Sequence, residues 1–159
     1  MPASALDTIA HVVLPNLMKL KTAATLVSAI ERRDVSPFAQ VWQQTGVAHT
    51  PSVIAKEKDV WRIGVMSLPA PKEMGEAYMC AFVTKKNDPA INHYFTLEHD
   101  YVLATKQTRT IVCGREGQRT VKHGEGPPIT GDFQADATAF VDALVEVIAP
   151  TKVTPSRSY

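Results

Sequence analysis

Histidines and carboxylates are the side chains here best suited to acid–base or metal chemistry. Four of them fall close together, His93, Glu98, His99 and Asp100, with His123 further along. If the chain has a ligand pocket, it is expected near these four. On a strand His93 and His99 share a face, but six residues at the usual rise span about 20 Å, so they share no metal unless the chain bends between them. There is no HExxH motif and no His or Cys pair at i and i+4 on a helix, so no metal is expected. Glu98 and Asp100 also share a face, roughly 7 Å apart, a separation that some paired-carboxylate catalysts use. The sequence places no third group to raise either pKa, so neither is assigned a catalytic role.

The two cysteines carry no CxxC or Cys-His motif. Cys80 lies in the most apolar segment, where a thiol is a buried small hydrophobe of low reactivity, and Cys113 is similar. On neighbouring strands the two could approach one another, although a reducing setting favours free thiols. Gly114-Arg-Glu-Gly117 and Gly124-Glu-Gly126 lack the Lys-Ser/Thr of a Walker loop and the spacing of a dinucleotide fingerprint, so no cofactor is expected. Trp42, Trp61, Tyr78, Tyr94 and Phe95 could line a cleft between helices and sheet, though such residues more often form core.

These residues must be positioned by elements whose hydrophobic period changes along the chain. Ile9, Val12 and Val13 mark a short helix that Pro15 interrupts or ends. Leu17, Leu20, Ala24, Val27 and Ile30 predict a second, ending near Arg33, and Phe38, Val41 and Trp42 predict a third, short one. From Asp59 the period becomes two, with strands expected at 60–68, 77–85, 93–99, 109–115 and 119–123. Short linkers between them imply an antiparallel meander. Tyr78, Cys80 and Phe82 face one way, and Met79, Ala81 and Val83 the other. With both faces apolar, that strand should be central. In the next strand the Tyr94, Thr96, Glu98 and Asp100 face reads as the wetter one. Phe133, Ala137, Phe140, Leu144 and Ile148 form a final helix, capped by Thr130 or Asp132, that covers the sheet. The expected fold is therefore α+β: N-terminal helices, an antiparallel meander of about five strands, and a C-terminal helix packed on it. Residues 1–150 form a single domain, and 151–159 a flexible tail.

Composition narrows the function classes. The chain has 159 residues, 45% hydrophobic and 21% charged, as expected of a globular domain. Seventeen basic against sixteen acidic residues leave a net charge of +1, too little for a polyanion-attracting field. The basic stretch from Arg109 to His123 is broken by Glu116 and Glu125 and reads as a solvated hairpin, so no nucleic acid is expected. No apolar run reaches bilayer length and no positive region precedes one, which points to a cytoplasmic protein without membrane contact. The order Tyr94-Phe-Thr-Leu-Glu98, a strand ending near Cys113, then His123-Gly-Glu-Gly-Pro127 before a helix resembles a group of bacterial proteins, and the resemblance implies no activity. The architecture is also similar to that of the dimeric type III secretion chaperones. The favoured expectation is a non-enzymatic protein-binding or interaction module, chaperone-like or homodimeric. The alternative is a small-ligand-binding protein or enzyme with a pocket near His93 and His99.

Overall fold

The computed structural model describes residues 5–71 and 74–149. Its order is α1 (Ala5–Thr8), a π-helical turn (Ile9–Val13), α2 (Leu14–Leu20), α3 (Ala23–Glu31), a 3-10 turn (Ser36–Phe38) and α4 (Ala39–Thr45). Six strands follow, β1 (Val53–Lys58), β2 (Trp61–Ser67), β3 (Ala77–Lys85), β4 (Asp88–Val102), β5 (Gln107–Glu116) and β6 (Arg119–Glu125), then α5 (Phe133–Ile148). The strands form one antiparallel meander in sequence order. The expected tail at 151–159 lies outside the described residues. No helix among the described residues is long and apolar enough to cross a membrane.

Pro15 does not end the first helix. Proline has no N–H to give the carbonyl four residues back, and its ring crowds that carbonyl. The chain widens just before it: the Leu14 N–H bonds to the Ile9 carbonyl, five residues back, and Pro15 then sits in the first turn of α2. The Ala10 carbonyl, passed over by this shift, accepts a 2.7 Å hydrogen bond from the Tyr94 hydroxyl on β4. The break falls instead at Lys21, where the backbone turns extended. Thr22 then caps α3 by accepting from the Thr25 N–H, and Asn92 Oδ1 on β4 accepts from the Ala23 N–H at 2.6 Å.

The sheet has six strands rather than about five, because β1 was not expected. Only Val53, Ile54 and Ala55 carry apolar signal before Lys56-Glu-Lys58, and no residue of this strand is fully buried. β3 has two strands on one side and three on the other, and the two packed layers meet it on opposite faces. Cys80, Phe82 and Ala77 join Ile9, Leu26, Val27 and Phe38 beneath the N-terminal helices. Met79, Ala81 and Val83 join Phe95, Leu97, Phe140 and Leu144 beneath α5. Tyr78 does not share a face with Cys80 as expected. The register slips between Ala77 and Met79, so Tyr78 is the extra residue of a β-bulge and Ala77 takes its place on the helical face.

One close approach and one helix cap set the layer geometry. Gly64 on β2 admits α3 so closely that a Cβ there would stand 2.9 Å from Ile30 Cδ1 and 3.4 Å from the Val27 backbone. At the other end, Asp132 caps α5 through the Gln134 N–H, while buried Asp136 accepts from the Thr130 and Gly131 N–H groups and the Thr130 hydroxyl. That carboxylate is fully used in fastening the loop that leads into the helix.

Candidate functional site

The four expected site residues divide between the two faces of β4. His93 and His99 lie on the α5 side. His93 is exposed, its ring 6.2 Å from that of Phe95, and partial burial there lowers its pKa. His99 is half-buried against Tyr78, with Nδ1 lacking a partner. Glu98 and Asp100 project to the helical side, and neither meets the other. Asp100 accepts from Arg109 Nε at 3.0 Å. Glu98 is buried, so the face that reads as wetter is in fact covered by the N-terminal helices.

What Glu98 meets there is His11, from the π-helical turn 87 positions earlier in the chain. His11 Nε2 stands 3.0 Å from Glu98 Oε2 and 3.5 Å from Asp7 Oδ1, with the His11 and Glu98 side chains 15% and 8% exposed. The hydrogen bond to Glu98 raises the His11 pKa above its ordinary 6.5, outweighing the opposing effect of burial. The Thr96 hydroxyl donates to the same Glu98 oxygen at 2.6 Å. A single carboxylate oxygen is thus shared by an imidazole and a hydroxyl in a nearly dry layer.

Cross-strand pairing extends this polar row. Cys80, Thr96 and Cys113 stand side by side on β3, β4 and β5. The cysteines are therefore two strands apart rather than on neighbouring strands, about 10 Å at the usual strand spacing, and both are free. Burial pushes both thiols up to about 12, with Glu98 adding to the effect at Cys113. Neither is a thiolate near neutrality, and the Thr96 hydroxyl is occupied by Glu98. The cluster holds a pinned imidazole and a carboxylate without an activated nucleophile beside them.

The expected aromatic cleft is also divided. Trp61 and Phe95 lie under α5, whereas Trp42 and Tyr94 lie under the helices. His11 and Tyr94 do reach a real opening, a cleft of about 460 Å³ between the π-turn and α2 on one side and the β5–β6 turn on the other. A second, apolar groove of about 270 Å³ runs along the opposite side of α2, against α4. Among the described residues no three His, Cys, Asp or Glu side chains converge as a metal set.

His11 does not stand out in the sequence because its partner is remote in the chain. The available signal was a histidine within an apolar helical stretch four residues before a proline, where π-turns form and often mark functional sites. No family model, curated protein or solved structure matches this chain.

Proposed function

We propose that this protein is a non-enzymatic interaction module that docks an acidic amphipathic helix of a protein partner in the groove between α2 and α4. The observation that carries the reading is Leu20, 86% exposed at the end of α2 and lining that groove. Val12, also half in solvent, continues the same stripe, and Leu17, Pro37 and Val41 form its floor and far wall. An exposed leucine alone is ordinary. A row of apolar side chains along a groove between two helices is the geometry in which helix-in-groove recognition works. Charge selects the partner's sign. The groove's own lining is neutral, with Asn16, Gln40 and Gln44 among the apolar side chains, and the charge next along the chain is Lys21, which follows Leu20 and makes no ion pair among the described residues.

Other features agree with this reading. Arg109 and Arg119 are matched by Asp100, Glu125 and Glu116, which breaks up the basic run of the hairpin and leaves Arg115 and Lys122 as its separate charges. Two free, buried thiols suit a reducing cytoplasm.

Fluorescence anisotropy with a labelled amphipathic helical peptide carrying glutamates on its polar face tests the proposal, with a lysine-faced version as control. The acidic peptide is expected to bind, and Leu20→Asp to weaken it by at least about tenfold, roughly 1.4 kcal/mol. Equal binding of both peptides, or none, overturns the reading. A homodimer that Leu20→Asp dissociates also overturns it, assigning the groove to a second copy of the chain.

A further inference from the structure

The cleft on the other side of α2 is chemically unlike the groove. Three of its lining residues can carry positive charge, His11, Lys19 and Arg115, and none is acidic. Among the sheet arginines Arg115 stands apart. Arg62 meets Glu31 at 2.7 Å, Arg109 meets Asp100 at 3.0 Å and Arg119 meets Glu116 at 3.3 Å. Among the described residues Arg115 makes only a 3.0 Å bond from Nη1 to the Thr120 hydroxyl, and its Nε is buried with no partner. A buried donor left unmade is destabilising, and of the five such side-chain atoms among the described residues Arg115 Nε is the one that belongs to a permanent positive charge.

The remaining polar groups are committed so as to leave donors facing the cleft. Asn92 spends its Oδ1 on the Ala23 N–H, which leaves its amide NH2. The Tyr94 hydroxyl spends its proton on the Ala10 carbonyl, and Glu98, the nearest buried carboxylate, is held behind His11 by that ring and Thr96. The walls beside these donors are apolar, from Val12, Pro15 and Met18. A space of about 460 Å³ is the size of a metabolite rather than of a polymer groove.

We infer that this cleft is a binding site for a small organic oxyanion, a molecule with a carboxylate or phosphate head and a short apolar body. The head lies against the Arg115 guanidinium, whose planar fork matches two oxygens of either group, with Lys19 as a second, point-like charge and Asn92 as a neutral donor. The apolar body lies on Met18 and Pro15. The cleft adjoins the helix-docking groove across α2, sharing Val12 and Asn16 with it, while Arg115, Lys19 and Asn92 line the cleft alone.

Phenyl phosphate and benzoate are suitable probes, with benzyl alcohol as the uncharged control and inorganic phosphate as the head group alone. In 1H–15N spectra of the full chain, the shielded Arg115 Nε–H and the Gly117 and Gln118 amides are expected to shift on adding either aromatic anion. Arg115→Gln is expected to weaken binding at least about tenfold, Lys19→Gln to weaken it less, and Arg62→Gln to leave it unchanged. Arg115→Lys, which keeps the charge and loses the fork, should fall between wild type and Arg115→Gln, and its folding is checked by the same spectrum. A stronger response to phenyl phosphate than to benzoate assigns a phosphate ester, and the reverse a carboxylate. The inference fails if neither anion shifts these resonances at millimolar concentration, if benzyl alcohol shifts them equally, or if a folded Arg115→Gln or Arg115→Lys binds as wild type does.

Discussion

The two faces of the sheet are built from the same strands and differ in what they bury. Under α5 the layer is apolar at its centre, where Ile63, Val65, Met79, Val83, Phe95, Leu97 and Val112 meet Phe140, Val141 and Leu144, and its buried polar side chains, Asp136 and Thr110, bond the loop before the helix. Under the N-terminal helices the layer is as tightly covered, yet it contains Glu98, Thr96, His11 and the Tyr94 hydroxyl, together with two thiols. The face under α5 depends on shape and apolar area. The other depends also on the pairing of His11, Glu98, Thr96 and the Tyr94 hydroxyl, and the two openings on either side of α2 adjoin that face alone. The buried imidazole–carboxylate pair and the layer under α5 thus lie on opposite sides of one sheet.

Substitutions can break this division, and the largest effect belongs to the face under α5. Phe140→Ala removes a fully buried ring from the centre of α5 and is expected to cost about 3–5 kcal/mol in chemical denaturation. A cost below about 1 kcal/mol would show that α5 is not the lid of that layer. On the polar face, His11→Ala leaves the Glu98 carboxylate buried without its cation and is expected to cost about 3 kcal/mol at slightly acid pH. A variant as stable as wild type there would dissolve the contrast between the faces.

The histidine also makes the polar face sensitive to pH in a defined direction. The folded pKa of His11 is raised above its ordinary 6.5, so the folded state holds this proton more tightly than the unfolded chain does. The stabilisation is fully present below about pH 6.5 and is lost as pH rises through the raised folded value. Asp7 on α1 and Glu98 on β4 are the carboxylates facing the ring. Thermal melts should show wild type and His11→Gln converging as pH rises from about 6 to 9. Parallel curves would remove His11 as the source of the dependence.

Smaller effects sharpen the comparison. Tyr94→Phe removes the hydroxyl that satisfies the Ala10 carbonyl and is expected to cost about 1–2 kcal/mol, with faster hydrogen exchange in the π-turn. Leu20→Asp, on the exposed end of α2, should change stability by no more than about 0.5 kcal/mol while weakening the proposed peptide docking at least about tenfold. If it unfolds the protein instead, Leu20 belongs to the core rather than to a docking surface.

Parts of this were legible in the chain. Alternation of Cys80 and Phe82 against Met79, Ala81 and Val83 marks a strand covered on both faces, and β3 lies within the sheet between the two cores. The Phe133 to Ile148 stripe marks α5. β1 escaped notice because half of it is Lys56-Glu-Lys58, an edge sequence whose charges hide the period. The bulge at Tyr78 escaped because alternation assumes an unbroken register. The site was legible only in part: Glu98 was singled out, but beside His99 and Asp100 rather than His11.

The sequence by itself determined the class of fold, the strand periods from β2 onward and the final helix, because periodicity is a local property. It also determined that Pro15 must disturb a helix, since that follows from one missing N–H. Only the tertiary structure decided that the disturbance becomes a π-turn held by Tyr94, and that His11 meets Glu98 while Arg115 keeps a donor unpaired beside the cleft. Those pairings join residues far apart in the chain, and no local pattern encodes which partner a buried charge finds when the layers close.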